Sequence, residues 1–156
     1  YLQHSGSIIF FMMRFLKGLR VLALLFMVAF AAIGTDAASE NNDFDWDPVV
    51  DAIIHVESRG NAGARNGQYV GVLQMSPAVV KAVNQILQKR GSSKRYSLKD
   101  RYSERKSREM FDIFMSYYNP TNNVEKAIRM WKGGTGYTVR ATQRYYRTVM
   151  KFVDFN

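Results

Sequence analysis

Glu57 is the side chain in this sequence best placed to move a proton. Val50, Ile53, Ile54 and Glu57 recur at i, i+3, i+4 and i+7, the spacing of one helical face. A carboxylate therefore falls on the stripe that should meet a core. Loss of solvent favours the protonated acid over the charged base, and a protonated carboxylic acid is what general acid catalysis uses. The competing reading is a Glu at a fraying helix end, turned to water. Spacing alone gives ordinary readings to three other polar or aromatic side chains. Gln74 suits a turn cap, Trp131 suits a core stripe with Ala127 and Ile128, and Tyr145 lies on an apolar stripe where a buried hydroxyl needs a partner.

Other chemistries find little support. Cys is absent, which removes disulfides and Cys-ligated metals, and the histidines are His4 and His55 alone. His55 falls off the apolar face and reads as a surface residue. No His-metal site or Ser-His-Asp arrangement is supported, and no cofactor or metal is implied. A second carboxylate for ordinary glycoside hydrolysis is not evident. Asp51 precedes Glu57 by six residues and should point elsewhere, and spacing does not place Asp100 or Asp112.

The elements that must hold these residues read as helical. Asp47-Pro48 supplies an N-cap acid and a first-turn proline. Gly60, Asn61, Gly63, Asn66 and Gly67 mark a long turn, and residues 68–70 suit a short strand. Ser76-Pro77 opens a second helix through Val79, Val80, Val83, Ile86 and Leu87, stopped by Gly91. Residues 91–105 form a basic, polar connection, and Arg101, Arg105, Lys106 and Arg108 read as a solvated basic face. Met110, Phe111, Phe114, Met115 and Tyr118 outline a core helix ended by Asn119-Pro120. Val124, Ala127, Ile128 and Trp131 give a short helix stopped by Gly133-Gly134. Thr142, Tyr145, Tyr146, Val149 and Val153 give the last. The expected fold is mainly α, one domain with at most a small β element.

The N-terminus reads as an export signal. Arg14, Lys17 and Arg20 precede an apolar run over residues 21–33, shorter than the roughly 20 residues of a membrane span. Ala37 and Ala38 offer a cleavage site. Residues 1–38 are thus upstream sequence and signal, 39–47 a linker, and 48–156 the domain. An uncleaved anchor is the alternative. Either way the domain lies outside the cytoplasmic membrane, in the periplasm or envelope. No stable membrane span is expected after cleavage. The net charge of +9 falls mostly on the domain and favours polyanionic partners. Export argues against nucleic acid.

Four segments in order carry a family resemblance: Glu57-Ser58; Gly71-Val72-Leu73-Gln74-Met75-Ser76-Pro77; Ala127-Ile128-Arg129-Met130-Trp131-Lys132-Gly133-Gly134; and Thr142-Gln143-Arg144-Tyr145. Each is weak alone. Together they resemble the soluble-type (SLT) catalytic domain of lytic transglycosylases, in the goose-lysozyme-like superfamily. The family pattern is Glu-Ser, Gly-Leu-Met-Gln-x-x-Pro, Ala-Tyr-Asn-x-Gly and a late Thr-x-x-Tyr.

The resemblance implies a lysozyme-like domain with Glu57 as the catalytic acid and Ser58 beside it. It implies Gln74 in the cleft, Met75 lining the sugar groove, and Tyr145 orienting the carboxyl. Trp131 replaces the usual Tyr and keeps an aromatic face. Lys132 replaces the usual Asn and can only donate hydrogen bonds, which suits an acidic peptide stem better than an N-acetyl group. The implied reaction cleaves peptidoglycan between N-acetylmuramic acid and N-acetylglucosamine, leaving a 1,6-anhydro end. The implied partners are glycan strands, with envelope-spanning secretion machinery a further candidate. The alternatives are a muramidase that hydrolyses the same bond, and a non-catalytic wall-binding or secretion-apparatus protein.

Overall fold

The computed structural model describes residues 44–155. The apolar run and cleavage site expected near the N-terminus lie outside the described residues. Among the described residues, no helix is long and apolar enough to cross a membrane.

The domain is mainly α. Its first helix, α1 (Asp47–Ser58), buries Val49, Val50, Ala52, Ile53 and Ile54. It ends where Arg59 turns left-handed at φ 55° and donates its N–H to the carbonyls of Ile54 and His55. The N-cap position falls on Trp46 rather than Asp47, and Asp45 Oδ1 accepts the Asp47 N–H at 2.9 Å. The segment expected to be linker is therefore folded from residue 44 onward. Trp46 is buried and Phe44 packs against it, the rings tilted by 60° with centroids 4.6 Å apart.

A two-stranded antiparallel hairpin follows, β1 (Arg65–Asn66) and β2 (Tyr69–Val70), with Gly67 at φ 59° in its turn. Val70 and Met75 then exchange backbone hydrogen bonds of 3.3 and 2.9 Å, closing residues 71–74 into a second tight turn. Helix α2 (Pro77–Lys89) starts at the Ser76 cap, whose hydroxyl accepts the Val79 N–H.

The connection after α2 contains a 3-10 turn, Leu98–Tyr102, that periodicity did not indicate. Polar bonds pin it. The Asn84 amide donates to Tyr96 O and accepts Tyr96 N–H, both at 2.8 Å, and the Tyr96 hydroxyl donates to Glu109 at 2.7 Å. Helix α3 (Glu104–Tyr118) supplies Met110, Phe111, Phe114 and Met115 to the core. Phe111 sits between the Trp46 and Trp131 rings, 5.7 and 5.0 Å away by centroid. Helices α4 (Val124–Gly133) and α5 (Val139–Met150) begin at side-chain caps, Asn123 to Lys126 N–H and Thr138 to Ala141 N–H.

Candidate active site

The segment 71–75 is the hub that gathers the candidate residues. It carries backbone carbonyls that a loop must satisfy, because an unpaired buried carbonyl is costly. Side chains from three elements meet them. Ser58, at the end of α1, donates its hydroxyl to Val72 O at 2.7 Å. Trp131, on α4, donates Nε1–H to Leu73 O at 3.1 Å. Arg101, in the 3-10 turn, donates Nη1–H to Met75 O at 2.9 Å. Gln74 closes the turn from within, donating Nε2–H to Gly71 O at 2.9 Å and to Ala64 O at 3.2 Å. Its backbone is left-handed at φ 47°, a strained state for Gln that these bonds hold in place.

Gly71 is required by this arrangement. Its φ is +76°, and a Cβ there would lie 1.8 Å from the Arg101 carbonyl oxygen. The hub thus admits no side chain at 71.

Glu57 precedes Ser58, so the Ser58–Val72 bond sets the end of α1 against the hub. The Glu57 carboxylate is half-buried and takes part in no salt bridge among the described residues. Tyr145, from α5, brings its hydroxyl to it. That oxygen is buried and closes no hydrogen bond of ordinary geometry. Burial first, then the charge of Glu57 and its pull on the hydroxyl proton, raise the pKa of the phenol. The carboxylate therefore faces the hydroxyl without a fully formed bond between them. Lys132, from α4, is exposed and sets its ammonium 5.0 Å from the Tyr145 ring centroid, a cation–π contact.

One residue that periodicity missed holds α5 in place. Arg129 is 2% exposed. It donates to Glu125 and Gln143 side chains at 2.7 Å, and to Val139 O and Thr142 Oγ1 at 3.1 Å. Its guanidinium also lies 4.5 Å from the Tyr146 ring centroid. These bonds lock α4 to α5 and so set where Tyr145 falls. The Glu125–Arg129 spacing of four residues was the available sign.

Three expectations are corrected. Met75 is 1% exposed and belongs to the core, so its side chain offers no surface to a sugar groove. Its backbone pairing with Val70 turns it inward. Ser58 commits its hydroxyl to the hub and acts on the site by holding it. The basic run is a solvated face only in part: Arg105 is exposed, Lys106 and Arg108 are partly so, and Arg101 is not. Arg101 is buried, Arg105 pairs with Glu109, Lys106 with Asp100, and Arg108 with Asp47, Asp51 and Glu104.

Asp51, Asp100 and Asp112 do not join Glu57 as a second acid. Asp51 is tied to Arg108, and Asp100 to Lys106 and the Ser97 N–H. Asp112 shares its surroundings with Asp47, Asp45 and Arg108, at the start of α1. Ten residues of helix separate Asp47 from Glu57, about 15 Å. Among the described residues no group of three or more acidic or histidine side chains gathers to hold a metal.

No family model, no curated protein and no solved structure matches this chain.

Proposed function

We propose that this protein is a lytic transglycosylase acting on peptidoglycan, with Glu57 as its acid and then its base. The observation that carries the reading is the pairing of a lone half-buried carboxylate with a buried tyrosine hydroxyl. Glu57 adjoins, through Ser58, a loop whose sequence resembles the SLT pattern. The exported, basic chain suits a reaction in the periplasm or envelope on an anionic wall polymer.

The steps use one carboxyl group. Protonated Glu57 gives its proton to the oxygen joining N-acetylmuramic acid to N-acetylglucosamine. The C1–O bond breaks, and the leaving sugar departs with that proton as its free 4-hydroxyl. Positive charge develops on the muramoyl C1 and ring oxygen, and the neighbouring acetamido group stabilises it. The muramoyl C6 hydroxyl then attacks C1 and returns its proton to the Glu57 carboxylate. A 1,6-anhydro ring forms, and no water is consumed. A second carboxylate, which a hydrolytic pair requires, has no part in this sequence.

The surrounding residues have separate tasks. The Tyr145 hydroxyl donates to Glu57 as the carboxylate forms, steadying it between the two steps. Lys132 lays its ammonium against the Tyr145 ring. Gln74 has both amide hydrogens engaged, so its Oε1 is the atom left to accept from a sugar hydroxyl or N–H.

Mass spectrometry of muropeptides after digestion of purified sacculi tests the reading. Anhydro-muramoyl ends, lost in Glu57→Gln, support it. Reducing muramic acid ends would assign hydrolysis instead, and an unchanged substrate would assign a binding role.

A further inference from the structure

A pocket of about 380 Å³ opens between the β1–β2 hairpin and the 3-10 turn. None of Glu57, Gln74, Trp131, Lys132 or Tyr145 lines it. The volume falls in the range of small-ligand sites, about 300–1,000 Å³. Its lining includes three cations, Arg65, Lys99 and Arg101, and no carboxylate. Leu98 and Tyr102 add an apolar wall and remain 50% and 41% exposed.

Arg101 is the built part of this site. It is only 8% exposed, and three backbone carbonyls hold its guanidinium. Nε donates to Leu98 O, and Nη1 donates to Gln68 O and Met75 O, each at 2.9 Å. Nη2 is left with no acceptor among the described residues. An arginine fixed in this way loses little freedom when an anion arrives. Lys99 has no acidic partner among the described residues. The neighbouring Asp100 is already engaged by Lys106 and Ser97. Arg65 makes one long bond, Nε to Gly67 O at 3.3 Å, which leaves its other nitrogens available.

We propose that this pocket binds the terminal carboxylate of a short peptide with small apolar side chains. The anchored guanidinium and the flanking ammonium match a carboxylate. Leu98 and Tyr102 give the peptide's side chains a surface that a bare oxyanion would leave uncovered. Arg101 also donates to Met75 O in the hub, so the pocket and the turn that carries Gln74 share this side chain. The site stands whether or not Glu57 is catalytic. If the wall reading holds, peptide stems are the natural source of the carboxylate.

The test titrates the purified protein with N-acetyl-alanyl-alanine, with its C-terminal amide, and with inorganic phosphate, by calorimetry and amide NMR shifts. The free acid should bind at least tenfold more tightly than the amide and shift residues 65–70 and 98–102. Arg65→Gln with Lys99→Gln should weaken it at least tenfold at an unchanged melting temperature, since both side chains are at the surface. Equal binding of acid and amide, or an unaffected double variant, would overturn the proposal. So would phosphate binding more tightly than the dipeptide. Because the readout is binding, the result is independent of any activity on glycan.

Discussion

The Tyr145 hydroxyl faces the Glu57 carboxylate across the α1–α5 contact, buried and without a closed hydrogen bond. A buried donor left unpaired costs free energy. Here the unpaired donor sits beside the one group proposed to gain negative charge during the reaction. An enzyme gains rate from interactions stronger in the transition state than in the ground state. This pair fits that requirement: the bond strengthens as Glu57 loses its proton.

Tyr145→Phe should therefore cost activity and not stability. Removing the hydroxyl deletes an unsatisfied group, so the melting temperature should hold or rise. A hydrogen bond to a charged partner is worth about 1.5–3 kcal/mol, which corresponds to a rate loss of about 10- to 100-fold. Tyr146→Phe is the control, since its ring serves Arg129 and keeps that contact. Equal losses in dye release from labelled sacculi would make Tyr145 a packing residue.

Glu57→Gln keeps the size of the side chain and removes its titrating proton. General acid–base catalysis is worth roughly 10²–10⁴-fold, and here one residue serves both steps. Lysis of purified peptidoglycan should fall below detection, with circular dichroism unchanged. Wild-type lysis by the variant would remove Glu57 from the site.

Gly71→Ala tests the hub. The left-handed backbone alone costs a Cβ-bearing residue about 1–3 kcal/mol. The 1.8 Å approach to Arg101 O then forces the 3-10 turn away. The urea midpoint should drop, and activity should fall with it at temperatures where the variant is still folded. A midpoint equal to wild type would show that residues 71–75 pack more loosely than the structure has them.

Acid should loosen the α3 surface before the core. Hydrogen bonds from Lys94 and Tyr96 hold the Glu109 carboxyl down to about 2, and Lys106 and the Ser97 N–H do the same for Asp100. Both folded values lie below the ordinary 4.5 and 3.8. Their stabilisation is then fully present above about pH 5 and is lost as pH falls from there toward 2. Glu109→Gln should flatten the fall in melting temperature across that window. An unchanged slope would mean that the Lys94–Glu109–Tyr96 cluster contributes nothing measurable.

The sequence by itself determined the helices and the identity of the proton donor candidate. Apolar spacing at three and four residues marks a buried face wherever a chain folds, and Pro, Gly and small polar caps mark where it stops. That reasoning reached α1, α2, α3, α4 and α5 within a few residues, and it set Glu57 at the end of α1. What spacing cannot say is which distant carbonyl a donor will reach. Arg101 looked like part of a surface charge run and is instead buried against Gln68 and Met75. Met75 matched a groove position, and its backbone pairing with Val70 turned it into the core. Arg129 stood in no apolar stripe and became the clamp between α4 and α5. Each of these outcomes satisfies a backbone or side-chain acceptor far away in sequence. The meeting of Glu57, Tyr145 and Lys132 is of the same kind. Three helices contribute one residue each, and only their packing brings the Tyr145 hydroxyl to the carboxylate and the Tyr145 ring to the ammonium.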